Sequence, residues 1–181
     1  MLKRIARNRL RRWGARYRYD VRSMEWLLGV APRAFFKVAK IMQAASHREA
    51  APVNAYFAAK LVGALHEDCG PCTQLVVDMA LEQGMAGAQL EAVLRRDIGA
   101  MQDDTAIGFR FAEAALARTE AQTQTRDAVR IAWGDKALAD LALGLQIGRV
   151  FPMLKTALGH ASACQRVQVG GAPVDVVKQA A

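Results

Sequence analysis

Apolar residues recur every three to four positions along most of this chain, and alternating runs are nearly absent. Pro32 stands at a first helical position, followed by Ala34, Phe35, Val38, Ala39, Ile41 and Met42. Pro52 plays the same part for residues 53–66, with Tyr56, Phe57, Leu61, Val62 and Leu65. A segment over about 70–83 has Leu75, Val76, Met79 and Ala80 on one face and stops at Gly84. Residues 88–97 predict a short helix with Leu90, Val93 and Leu94 inward. Asp104 or Thr105 can cap 105–120, Thr125 a helix ending near Gly134, and Asp135 a helix over 136–149. Pro152 predicts a break or a kink before 153–159, and the only extended piece is Val167 to Val177, interrupted by Gly170-Gly171. The expectation is an all-α helical bundle in one domain, residues 23–181, preceded by a separate arm over 1–22.

That arm changes the reading of the charge. The chain carries +8 overall, and residues 1–22 hold nine basic residues and one acid, Asp20. The rest of the chain balances to zero, so the basic pI describes the arm, and nucleic acid is not an expected partner. Leu2, Ile5, Ala6, Leu10, Trp13 and Tyr17 form one stripe of a basic amphipathic helix. Such a stripe docks on the body or lies on an anionic membrane surface. No run of 18 uncharged apolar residues occurs, so no spanning helix is expected. The expected location is cytoplasmic, with peripheral membrane contact through the arm as the variant.

Three cysteines in 181 residues are no disulfide framework, and their odd count points to redox or metal use in a reducing compartment. Two of them form Cys69-Gly70-Pro71-Cys72 at the start of a helical segment. A helix start carries unpaired N–H groups and a partial positive charge, which favour thiolate, the nucleophile in disulfide and peroxide chemistry. The same two thiols also fit a pair of buried apolar side chains or half of a metal site. The thioredoxin fold uses this tetrapeptide after a buried strand, whereas Ala58 to Leu65 here is a helix pattern.

From Lys60-Leu61-Val62 through Cys69-Gly70-Pro71-Cys72-Thr73-Gln74-Leu75 to Met79-Ala80, the chain resembles the alkylhydroperoxidase D-like, or carboxymuconolactone decarboxylase-like, superfamily. A weaker likeness extends over roughly 30–160. The resemblance implies an all-α fold that assembles into homo-oligomers. In the redox branch it implies a CxxC dithiol that reduces hydroperoxides or exchanges electrons with a peroxiredoxin or thiol reductant partner. It also implies Cys72 as the attacking thiol and Cys69 as its resolving partner. The decarboxylase branch shares the fold, lacks the dithiol and acts on lactone ring acids. This chain departs from the redox branch at two relay positions: Phe57 replaces its glutamate and Val76 its histidine.

Other residues are candidates to replace the relay. His66, three before Cys69, is a candidate base, or a polar residue at a helix end. His160 and Cys164, four apart, can converge on the dithiol as base and third thiol, complete a zinc site, or pack as a helix of small residues. Lys60 can offset Glu67 or Asp68, which otherwise disfavour a thiolate, and Tyr56 can supply a hydroxyl. Trp26, Trp133 and Phe151 read as core or interface anchors, and His47 as a solvated loop residue. No cofactor is expected, and no resident metal. The expected activity is that of a thiol-dependent peroxidase or disulfide oxidoreductase. The alternatives are a non-redox decarboxylase-like enzyme and a non-catalytic redox- or metal-sensing interaction protein.

Overall fold

Every side chain from Ala55 to Ala64 is buried, so helix α4 (Val53–His66) forms the axis of the protein. A helix that is apolar all round needs neighbours on every side. The computed structural model describes residues 2–160 and 167–177. Before the axis come α1 (Leu2–Arg16), α2 (Arg22–Val30) and α3 (Pro32–Ala44). After it come α5 (Gly70–Glu82), α6 (Gly87–Arg95), a short 3-10 turn (Ile98–Ala100), α7 (Asp103–Ala117) and α8 (Gln122–Ala157). The closest partners of α4 are α8, α7 and α5, and the described residues form an all-helical bundle.

Small residues set the spacing of these crossings. A Cβ on Gly148 of α8 would lie 2.1 Å from the Lys60 carbonyl oxygen, and one on Gly108 of α7 would lie 2.3 Å from that of Ala55. Both helices therefore meet α4 backbone against side-chain-free backbone. The main core gathers around this contact, with Leu61, Val62, Val77, Leu90, Leu94, Val129 and Leu141. A second cluster of Leu10, Met24, Leu27, Leu28 and Phe35 joins α1, α2 and α3.

Several boundaries differ from the sequence expectation; α7 starts at Asp103 behind Gln102 and ends at Ala117, so neither Asp104 nor Thr105 caps it. Thr125 does not cap a helix; it sits in the first turn of α8 and donates its hydroxyl to Ala121 O at 3.0 Å. Pro152 does not break the chain either, because α8 runs through it to Ala157. The missing rung costs one hydrogen bond, while Ile147, Gly148, Pro152 and Lys155 are buried against the body and hold the helix in line. The break falls at Gly134, whose φ of 81° lies outside the helical region.

The extended tail is a hairpin, β1 (Val167–Val169) and β2 (Ala172–Val174), paired antiparallel with Val167 opposite Val174. Gly170 and Gly171 both have positive φ, as a two-residue hairpin turn of this hand requires. The Gln74 side chain ties the hairpin to α5, donating to Gln168 O at 3.0 Å and accepting from Gln168 N at 2.7 Å. By length and composition α8 alone among the described helices is long and apolar enough to cross a membrane. Its apolar face is the one that packs on α4 and α7, and it carries the buried Asp140.

Asp140 accepts the backbone N–H groups of Glu49, Ala50 and Ala51 at 2.9, 2.7 and 3.0 Å, anchoring the segment before α4. His47 lies 3.7 Å from the same carboxylate, so it is an anchor neighbour as well as a loop residue. Burial pushes the Asp140 carboxyl up, but the three N–H donors and His47 outweigh it and hold the group below its ordinary value. A depressed carboxylate stabilises the fold above its unfolded-state pKa, and that contribution disappears as the pH falls through the folded-state value.

Two outcomes follow for stability. Gly148→Ala should lower the unfolding free energy by ~1–3 kcal/mol, whereas Gly29→Ala, with open space around its Cβ site, should leave it unchanged or raise it by up to ~1 kcal/mol. Urea titration measures both. Asp140→Asn should flatten the acid limb of stability against pH, and an unchanged limb would show that other carboxylates carry it.

Candidate active site

The dithiol opens α5. Cys69 is the residue before the first helical turn, with extended backbone, and Pro71 occupies a first-turn position where no N–H is needed. The Cys69 carbonyl accepts both the N–H of Thr73 at 2.9 Å and its hydroxyl at 3.0 Å, which fixes the entry of the chain. Asp68 precedes it in the left-handed region, a conformation aspartate tolerates. Both thiols are free and buried, with 7% of Cys69 and 4% of Cys72 exposed.

Cys72 faces a cavity of about 360 Å³. Its walls are mostly apolar: Leu10 and Trp13 of α1, Met24 of α2, Leu75 and Met79 of α5, and Phe151 of α8. Phe57 and Val76 line the same cavity and present hydrocarbon to it from α4 and α5.

A different polar pair approaches the thiol from outside α4 and α5. The Tyr19 hydroxyl lies 3.5 Å from Cys72 Sγ, and the Lys155 ammonium donates to the Tyr19 hydroxyl at 3.4 Å. With Lys155 as donor to the phenol oxygen, the phenol proton is free to point at sulfur. Lys155 Nζ also sits 4.9 Å from the Tyr19 ring centre.

Local sequence explains why Tyr19 is there. Tyr19 N–H bonds to Gly14 O at 2.8 Å and Arg18 N–H to Ala15 O at 3.3 Å, with Arg18 left-handed. This is a Schellman end to α1, and its usual hydrophobic contact is the edge-on packing of Tyr19 against Trp13 at 5.6 Å. A Cβ on Gly14 would collide with Val21 and with Tyr19 O, at 2.6 and 2.8 Å, so only glycine lets the chain fold back this tightly.

The electrostatics divide the two sulfurs. The Cys69 thiol is held down to about 6, chiefly by the Cys72 thiol acting as donor; burial opposes this, and the Cys72 N–H and the Lys155 charge reinforce it. Cys72 is pushed up by giving its proton to that bond and by burial, while Tyr19 and Lys155 pull it back. The pair therefore holds one shared negative charge. Burial first, then the neighbouring thiols, raise the Tyr19 phenol, so it remains a proton donor at neutral pH.

Lys60 and Tyr56 line the same cavity as Cys72. Both donate to Ala45 O at the end of α3, at 2.9 and 3.2 Å, and burial lowers Lys60 to about 8 and raises Tyr56 to about 12. Lys60 does not offset Glu67, which pairs instead with Arg149 at 2.7 Å. His66 is exposed on the last turn of α4, lines no part of the cavity, and is not among the groups that shift either thiol. His160 packs edge-on against Trp26 at 5.3 Å, and Cys164 lies outside the described residues. Among the described residues no three His, Cys, Asp or Glu side chains converge as metal ligands.

The arm forms the roof. Leu10, Trp13 and Tyr17 of its stripe line the cavity, while Leu2 at the other end is 74% exposed. Arg11 pairs with Glu25 at 2.5 Å; Arg16 pairs with Glu82, which also accepts the Tyr17 hydroxyl at 2.5 Å. Tyr19 and Lys155 are the site residues that sequence reasoning missed. The signal in reach was the Trp13-Gly14 to Tyr19 spacing at the end of the arm; nothing in the sequence joins it to Lys155.

No family model, curated protein or solved structure matches the chain.

Removing the Cys72 donor by Cys72→Ala should move the Cys69 titration, followed by ultraviolet thiolate absorbance, from about 6 toward the ordinary cysteine range. Lys155→Met should move it the same way by less. A midpoint unmoved by both changes would show that the helix start alone sets it.

Proposed function

We propose that this protein is a thiol-dependent peroxidase or disulfide oxidoreductase on an alkylhydroperoxidase D-like helical scaffold. The observation that carries the reading is the run from Cys72 on the cavity wall through the Tyr19 hydroxyl to the Lys155 ammonium. It provides a sulfur nucleophile, a proton donor and a positive charge in a water-poor space, where each acts more strongly than in water.

The cycle begins with the shared proton moving from Cys72 to Cys69. Cys72 thiolate then attacks the terminal oxygen of a hydroperoxide: an S–O bond forms, the O–O bond breaks, sulfur loses two electrons, and the peroxide becomes an alkoxide. Tyr19 gives the alkoxide its proton and recovers one from Lys155. Cys69 sulfur attacks the sulfenic sulfur; the S–S bond forms and hydroxide leaves as water with the Cys69 proton. An external dithiol restores both thiols by exchange, becoming a disulfide itself. Cys69 thus serves as base and then as resolving thiol, which supplies the function of the absent histidine. Exposed Trp26, Val30, Phe36 and Ile41 on α2 and α3 support the homo-oligomer expected of this scaffold.

The test is consumption of cumene hydroperoxide by the full chain with dithiothreitol as reductant. Cys69→Ser and Cys72→Ser should each abolish turnover, and Tyr19→Phe should slow it by ~10²-fold, the low end of general-acid contributions. Wild-type turnover no faster than free dithiothreitol would sink the reading.

A further inference from the structure

The cavity contains more positive charge than its protein partners use. Lys60 is only 3% exposed and lines the cavity; among the described residues its one hydrogen bond is to the Ala45 carbonyl, and its ammonium otherwise meets only the Tyr56 and Phe57 rings, 5.6 and 5.5 Å from their centres. An ammonium has three donors, and a buried one needs a counter-charge. No carboxylate pairs with Lys60 among the described residues. The acid on the cavity wall, Glu82, is taken by Arg16 and Tyr17. A second polar group is unmet: Ser23 Oγ, on a residue 4% exposed, faces the cavity with no hydrogen-bond partner among the described residues. Two further cations line the wall, Arg48 donating to Ala51 O and Lys155 to the Tyr19 hydroxyl, and most of the remaining wall is hydrocarbon. The volume of about 360 Å³ falls at the small end of ligand pockets, roughly 300–1,000 Å³.

We infer that the cavity binds a single-chain amphiphile with a carboxylate end, its acyl chain along the apolar walls and its carboxylate on Lys60. The occupant brings the missing negative charge to Lys60, and its chain replaces water against Trp13, Leu75 and Phe151. The inference deepens the peroxidase reading, and rests on it, in naming the substrate as a hydroperoxide of such an acid. The binding itself needs no redox step.

The experiment is calorimetric titration of the full chain, thiols reduced, with decanoate and with decanol. Decanoate should bind at least about tenfold more tightly, the factor expected of one charge-assisted hydrogen bond in a dry site. Lys60→Met should erase that preference while keeping decanol binding, and Lys60→Arg should retain it. Equal affinity of the wild type for the two probes overturns the inference, whatever the variants do. So does a preference that survives in a folded Lys60→Met protein. The Cys69→Ser, Cys72→Ser double variant separates the two readings. Decanoate bound there, with no peroxide turnover in the wild type, keeps the ligand site and removes the peroxidase; cumene hydroperoxide turnover without decanoate preference does the reverse.

Discussion

Backbone-to-backbone contact along α4 is the constraint on which the rest depends. Where Gly148 and Gly108 meet the Lys60 and Ala55 carbonyls, there is no room for a methyl group. This close approach seals the axis helix from water along the whole stretch 55–64 and brings the end of α8 alongside α4. Lys155, about two turns beyond Gly148, is then held at the cavity rather than in solvent. Cores packed this tightly transmit small volume changes directly to neighbouring helices.

The second determinant is the reversal after α1. Gly14 and the Schellman end turn the basic helix back so that its apolar stripe roofs the cavity and its last aromatic residue reaches Cys72. The arginines remain outside, and the ion pairs with Glu25 and Glu82 hold the roof at its rim. Exposed pairs of this kind contribute little stability, so the roof rests mainly on Leu10, Trp13 and the cluster with Met24 and Leu28. A buried dithiol in pure hydrocarbon would be inert. Here the buried sulfurs share one charge and have a phenol and an ammonium at hand.

Much of the scaffold was legible. The helices starting near Pro32, at residue 53, at the CxxC and near residue 103 have proline punctuation or strong apolar periodicity, both local signals. The tail from Val167 to Val177 likewise reads as extended and interrupted at Gly170-Gly171, whereas its pairing into a hairpin comes from the structure. The break expected at Pro152 is absent because tertiary burial of α8 outweighs a local breaker worth a few kcal/mol, and Thr125 does not cap because α8 begins three residues before it, at Gln122. At the site, Cys69, Cys72, Lys60 and Tyr56 could be picked out because they sit within or just before the motif. His66 drew notice by the same nearness in sequence, and its helix ends pointing it at water.

By itself the sequence determined that the chain is helical, that its charge is concentrated in one amphipathic arm, and that two thiols start a helix, since each of these is a property of neighbours along the chain. Only the tertiary structure decided which groups surround those thiols. Tyr19 and Lys155 are 136 positions apart, and their meeting at Cys72 depends on a helix end folding back and on two glycine-lined crossings. Spacing in sequence encodes neither, because proximity between distant helices is set by packing volume rather than by any local pattern.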